Sequence, residues 1–172
     1  MPKFRDDRFA IGGKLLKGRF QWKAELGISA TVERVWEIID DISLIPLYHP
    51  EVGSIDLLSG QKKREVGVKY RCNILEGRKG SCVEEVVEYV PNQKMSTTFI
   101  EDSRGIGKML AHFIVETTVF PKGKDSTALL LEAYYNPVGF RVSLLNPLLR
   151  RIMKKRTVRT MQGIKRLSER DP

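Results

Sequence analysis

The stretch Asn146-Pro147-Leu148-Leu149-Arg150-Arg151-Ile152-Met153-Lys154-Lys155-Arg156-Thr157-Val158-Arg159-Thr160-Met161-Gln162-Gly163-Ile164-Lys165-Arg166-Leu167-Ser168-Glu169 decides how the rest of the chain is read. Asn146 can cap free N–H groups and Pro147 suits a first helical position, so the pair predicts a helix start. Apolar residues then recur at Leu149, Ile152, Met153, Ile164 and Leu167, near helical spacing, while Arg150, Arg151, Lys154, Lys155, Arg159, Lys165 and Arg166 form a basic face. Gly163 in a helix interior costs about 1 kcal/mol against alanine, which implies close packing against another element. Almost everything upstream alternates like sheet, and a sheet with an apolar face needs a cover. This helix is the expected cover.

At 172 residues, 41% hydrophobic and 30% charged, the chain has the composition of a folded domain with a sizeable core. No apolar run approaches a bilayer span, and the charged N-terminus lacks the apolar core of a signal peptide. A soluble, cytoplasmic protein is the expectation. Two cysteines, Cys72 and Cys82, are too few for a disulfide framework. The net charge of +9 sits at the two ends: residues 1–20 hold six Lys/Arg against two Asp, and residues 146–172 hold nine Lys/Arg against one Glu and one Asp. Residues 1–18 read as a basic arm and 19–170 as one domain. The arm and the basic face of 147–170 could meet an anionic membrane surface or an acidic partner, with nucleic acid less favoured, or could simply be solvated.

Upstream, residues 19–29 place Phe20, Trp22, Ala24, Leu26 and Ile28 on one strand face. Thr31 caps a helix through Val32, Val35, Trp36 and Ile39, and a short helix and bend with Pro46, Tyr48, His49 and Pro50 follow. Further strands are expected over 54–58, 66–75 and 81–90, around Met95–Phe99, and over 108–120 and 127–135, joined by tight turns. Such connections imply an antiparallel sheet of about seven strands, in an α+β chain with two short helices after the first strand. Strand 81–90 has two registers. Facing Val83, Glu85, Val87 and Tyr89 inward buries one carboxylate; the other register buries two. The first is therefore expected, with Cys82 outward, Cys72 inward and no disulfide between them.

At this point the chain resembles the START-like, Bet v 1-like superfamily, also called the polyketide cyclase/dehydrase and lipid transport family. The matching residues are Ile28-Ser29-Ala30-Thr31-Val32-Glu33-Arg34-Val35-Trp36, His49-Pro50-Glu51-Val52, Glu65-Val66-Gly67-Val68-Lys69-Tyr70-Arg71 and Val87-Glu88-Tyr89-Val90-Pro91. The resemblance implies a helix-grip fold: a curved sheet wrapped around the C-terminal helix, with a cavity between them. It further implies a hydrophobic ligand such as a lipid, polyketide or isoprenoid, or cyclase/dehydratase chemistry on one.

The inward faces collect Trp22, Tyr70, Met95, Phe99, Met109, Phe113, Tyr135, Leu149 and Met153. Such a set is core in a closed domain and a cavity wall in a helix-grip domain. Glu85 and Arg156 fall on inward lines, and a buried charge needs a partner. They could pair across the cavity, Arg156 could hold a ligand's anionic group, or it could snorkel to the rim. Tyr48 and His49 would lie at the entrance, as a gate, as packing or as an acid–base group. His49, Tyr70 and Arg156 are the candidates for catalysis. The sequence has no metal-ligand spacing, P-loop, dinucleotide fingerprint or nucleophile elbow, so it calls for no metal and no cofactor.

Overall fold

The computed structural model describes residues 10–11, 14–75 and 80–170. Most of the expected basic arm, and most of the turn expected at Glu76–Gly80, lie outside the described residues. Within the arm, β1 (Ala10–Ile11) and β2 (Lys14–Leu15) pair antiparallel as a two-stranded ribbon. Ten-residue strand β3 (Arg19–Ile28) follows, then α1 (Val32–Asp40), a 3-10 turn at Ile42–Leu44 and the single turn α2 (Ile45–Tyr48). The remaining strands are β4 (Val52–Asp56), β5 (Lys69–Ile74), β6 (Ser81–Val90), β7 (Lys94–Asp102), β8 (Leu110–Gly123) and β9 (Ser126–Pro137). A one-turn helix α3 (Ile106–Met109) precedes β8, and the chain ends in the 29-residue helix α4 (Phe140–Ser168).

Strands β3 to β9 form one antiparallel sheet in the order β3-β9-β8-β7-β6-β5-β4. All but one of its neighbouring pairs are consecutive in sequence, as hairpin connections require. The exception is β3, which closes against β9 while α1 and α2 carry the chain across to β4 at the far edge. Thr31 caps α1 as expected, accepting from the Arg34 N–H at 3.2 Å. The sheet curls, and α4 lies against its inner face together with α1 and α2. Buried Trp36, Ile39, Ile45, Tyr48, Tyr70, Leu129, Met161 and Ile164 join these layers. A smaller cluster of Trp22, Leu110, Phe113, Ala133 and Tyr135 fills the other end.

Gly163 has the role its cost implied. It is buried against α2, where an added Cβ would overlap the Tyr48 carbonyl. The last turns of α4 are also tied to the end of β3. Lys165 Nζ donates to the Gly27 carbonyl at 2.7 Å, and Glu169 Oε1 accepts from the Ser29 N–H at 2.7 Å.

Three expectations are corrected. The helix starts at Phe140 rather than at Asn146, and Pro147 lies inside it. Asn146 instead bridges the layers, accepting from the Tyr135 hydroxyl at 2.7 Å and donating to Gln21 Oε1 at 3.1 Å. Pro147 leaves the Ser143 carbonyl without its helical donor, which is tolerable because Ser143 is exposed and water can serve it.

The second correction is the register of β6. Bulges between Val83 and Glu84 and between Val86 and Glu88 break simple alternation. Glu84 pairs with Tyr70 and Cys82 with Cys72, so Cys82 and Glu84 face inward. Glu85 pairs with Lys69 and forms a 3.6 Å ion pair with its ammonium. The third concerns Met109, expected on a strand. It ends α3 and is 38% exposed. Asp102 winds this turn, its carboxylate accepting from the N–H groups of Arg104, Ile106 and Gly107, with Gly105 at φ 75°.

Candidate functional site

Between the sheet and α4 lies a cavity of about 250 Å3. Its walls are largely apolar. Trp22 comes from β3, Met95 and Phe99 from β7, Phe113 and Val115 from β8, Leu131 from β9, and Met153 and Ile164 from α4. Phe99 and Phe113 stack with centroids 4.7 Å apart, and Phe113 stacks on Tyr135 at 5.9 Å. Trp22 meets Tyr135 edge-on at 5.8 Å. These contacts fix the aromatic wall in place, each worth about 1 kcal/mol beyond area burial.

A polar chain interrupts the apolar lining. Arg64 is 4% exposed and lines the cavity. The Lys62–Glu65 loop is held on α1: Asp41 bridges to Lys63, the Ile42 N–H bonds the Lys62 carbonyl, and Asp40 Oδ1 accepts from the Arg64 N–H at 3.2 Å. Arg64 Nε donates to the Ile39 carbonyl at 2.8 Å, and its Nη1 donates to the Tyr70 hydroxyl. The guanidinium also sits 4.9 Å from the Tyr70 ring centroid, a cation–π contact strengthened by desolvation. Tyr70 in turn donates to Glu84 Oε2 at 2.7 Å. Cation and half-buried carboxylate thus face each other through one phenol, which helps the Arg64 charge stay buried.

The titration behaviour follows from that geometry. Burial pushes the Tyr70 hydroxyl well above its usual range, with the Arg64 guanidinium opposing and Glu84 reinforcing the shift. Burial raises Tyr48 likewise, again opposed by Arg64. Both phenols are therefore neutral hydrogen-bonding groups near pH 7. Cys72 is held up as a thiol by its hydrogen bond with Cys82 and by burial, and its sulfur lies 3.8 Å from Glu84 Oε1. Both cysteines are free thiols. Cys72, Cys82 and Glu84 each bring a ligand atom within 4.8 Å of the other two, the donor set among the described residues suited to a thiophilic ion. Ten residues of sequence separate the two sulfurs, and only strand pairing unites them.

Nearer the rim, Arg156 Nε pairs with Glu51 Oε1 at 3.0 Å. His49 lines the same region and its Nδ1 accepts from the Glu51 N–H at 3.3 Å. Burial lowers the His49 pKa; Glu84 and Glu51 partly offset the effect and Arg156 adds to it. The neutral ring therefore carries its proton on Nε2, so its free nitrogen is a donor rather than a base.

Of the residues singled out from sequence, Trp22, Tyr48, His49, Tyr70, Met95, Phe99, Phe113, Met153 and Arg156 line this cavity. Four do not. Tyr135 is buried behind the aromatic wall, Leu149 is half-buried outside the lining, Met109 is in the exposed α3 turn, and Glu85 lies on the other sheet face. The Glu85–Arg156 pair, one of the alternatives the sequence left open, does not form, because the register turns Glu85 away and Glu51 takes Arg156. Arg64, Glu84, Cys82, Glu51 and Thr157 were not anticipated as lining residues. For Glu84 and Cys82 the alternative register was the available signal; Arg64, inside a run of charged loop residues, offered none.

Comparison with known proteins adds to the geometry. The family described as polyketide cyclase / dehydrase and lipid transport matches residues 19–169. No curated protein matches the sequence. Among solved structures, a START superfamily protein from Mycobacterium smegmatis is 15% identical, with TM-score 0.68, 87% of this chain covered and 97% of that one. The ZhuI aromatase/cyclase from Streptomyces sp. R1128 is 13% identical, with TM-score 0.69 and 87% and 93% covered. Norcoclaurine synthase from Thalictrum flavum is 18% identical, with TM-score 0.68 and 86% and 92% covered. At these identities the likeness is one of fold.

Proposed function

The chain belongs to the polyketide cyclase / dehydrase and lipid transport family, and from that premise we propose that it binds a hydrophobic small molecule carrying one oxygen-rich end. The observation that carries this reading is the lining itself: an apolar and aromatic wall interrupted by the Arg64–Tyr70–Glu84 chain and, separately, by His49 and the Arg156–Glu51 pair. A lipid, polyketide or isoprenoid-like molecule would place its apolar body against Trp22, Phe99, Phe113 and Met153. Its hydroxyl, keto or carboxyl oxygen would meet Tyr48, Tyr70 and Arg64. The desolvated surroundings strengthen each such hydrogen bond, and the preformed wall reduces the ordering cost of binding. Free thiols at Cys72 and Cys82 support a reducing, cytoplasmic setting. No helix among the described residues is long and apolar enough to cross a membrane.

Native mass spectrometry of the purified protein, followed by extraction and identification of what it carries, tests the reading. One hydrophobic molecule per chain is expected. Thr157→Trp, which fills the cavity from α4, should expel it while leaving the circular dichroism spectrum unchanged. A chain that emerges empty and shows no saturable binding of long-chain lipids or fused-ring phenols would overturn the proposal.

A second reading has one observation in its favour. The Tyr70 hydroxyl sits between the Arg64 guanidinium and the Glu84 carboxylate, so turning its single O–H from Glu84 onto a bound keto oxygen would polarise that oxygen and leave Glu84 free to accept a proton from the substrate. That is the arrangement a cyclase or dehydratase would use on a bound polyketone. Tyr70→Phe should then abolish turnover while preserving binding. His49, with its acceptor nitrogen already engaged, serves this reading less well than Tyr70.

A further inference from the structure

The first half of α4 turns an apolar stripe to solvent. Phe140, Leu144 and Leu148 are 81%, 68% and 57% exposed, and Leu145 and Ile152 are exposed beside them. Phe140, Leu144, Leu148 and Ile152 are four residues apart in sequence, so they stack along one side of the helix. That side is opposite the one bearing Met153, Arg156, Thr157 and Thr160, which line the cavity. Arg151, Lys155 and Arg159 continue the same outer side, with Arg141 and Lys154 flanking it, and all five are exposed. Between Phe140 and Ser168 there is no Asp or Glu.

We propose that this face of α4 docks on an anionic membrane surface, Phe140, Leu144 and Leu148 entering the headgroup boundary and Arg151, Lys155 and Arg159 meeting lipid phosphates. An interfacial helix is recognised by this combination of exposed bulky apolar residues and an all-basic polar complement. The charge selects among the occupants of an apolar face. A second copy packed through the same stripe would bring two sets of these cations together with no acid on either helix to pair them. A nucleic acid would engage the cations and leave the leucines in water. An anionic bilayer satisfies both features at once.

The location adds a second argument. Met109, 38% exposed, and Val138, also exposed, are joined by a 2.8 Å backbone hydrogen bond beside the start of α4. Ile106 and Arg104, from the same turn and its approach, line the cavity. Exposed Met109 and Val138 thus extend the apolar surface from the start of α4 to the turn that supplies two cavity-lining residues. The docking face stands independently of what the cavity holds.

Flotation with vesicles tests it, using equal parts phosphatidylglycerol and phosphatidylcholine against phosphatidylcholine alone. The protein should float with the anionic vesicles and fall away as salt rises. The double variant Leu144→Ser/Leu148→Ser should bind at least about tenfold more weakly, the factor expected from losing burial of such side chains. Arg151→Glu/Lys155→Glu should also weaken binding about tenfold or more. All four side chains are exposed, so each variant should keep the parent's circular dichroism and melting temperature. No anionic-vesicle binding, or binding that the leucine variant leaves unchanged, overturns the proposal. So does a concentration-dependent dimer in light scattering that the leucine variant disperses, because the stripe would then belong to a second copy. RNA binding through the cations, with the leucines irrelevant, overturns it as well.

Discussion

The two halves of α4 are both basic and without acidic residues, and they differ in burial. The second half holds Met161, Gly163, Ile164 and Ser168 buried, and ties its end to β3 through Lys165 and Glu169. The first half leaves Phe140, Leu144, Leu145 and Leu148 in solvent. Leucines outnumber glycines in the exposed half, and a glycine is the anchor of the buried one. The contrast shows that burial along this helix is set by where the sheet, α1 and α2 come close, and hydrophobicity alone does not predict it. Through Tyr48, which packs on Gly163, the anchored half is also connected to the Arg64–Tyr70–Glu84 chain.

The largest expected effect tests that connection. Arg64→Met keeps the aliphatic stem but leaves Glu84 and the Ile39 carbonyl without the guanidinium, and should cost about 3 kcal/mol or more in chemical denaturation. Combining it with Glu84→Gln should cost less than the two single changes together, since the charge that needed Arg64 is gone. Additive costs would mean the two charges are not energetically linked.

Gly163→Ala comes next. Its methyl meets backbone rather than a movable side chain, so α4 and α2 must separate, at a cost of about 1–3 kcal/mol in thermal or urea unfolding. A neutral result would show that the anchored half is looser than its packing implies.

A smaller effect concerns pH. Burial lowers the His49 pKa, so the folded protein keeps the ring neutral where the unfolded chain would protonate it. Its contribution is intact above the ordinary value of 6.5 and declines as pH falls below it. His49→Gln should flatten the stability–pH curve in that interval; an unaltered curve would assign the acid sensitivity to other groups. The smallest effect is expected on the projecting half, where Leu148→Ser should change stability by no more than about 0.5 kcal/mol. A substantial loss there would erase the distinction between the halves.

Much of this architecture was legible because alternation and turn chemistry are local. The strand through Trp22, Ala24 and Ile28, the Thr31 cap and the sequence of hairpins were readable from residue spacing alone. Errors fell where local signals compete with tertiary ones. Asn146-Pro147 is a good helix start in isolation, yet the helix begins at Phe140 and uses Asn146 to join Tyr135 and Gln21. In β6, counting buried carboxylates favoured Glu85 inward. The count failed because Glu84 finds Tyr70 and two bulges shift the register.

By itself, then, the sequence determined a seven-stranded antiparallel sheet covered by a long basic helix, and an aromatic and methionine-rich set on the inner faces. Those follow from periodicities of two and 3.6, which each segment carries within itself. Tertiary structure alone decided which charges the interior tolerates. Arg64 and Glu84 are twenty residues apart in sequence and meet across a tyrosine, and the thiols of Cys72 and Cys82 come together only through strand register. It also decided which half of α4 is covered, because α2 and the end of β3 pack against the second half whatever apolar residues the first half carries.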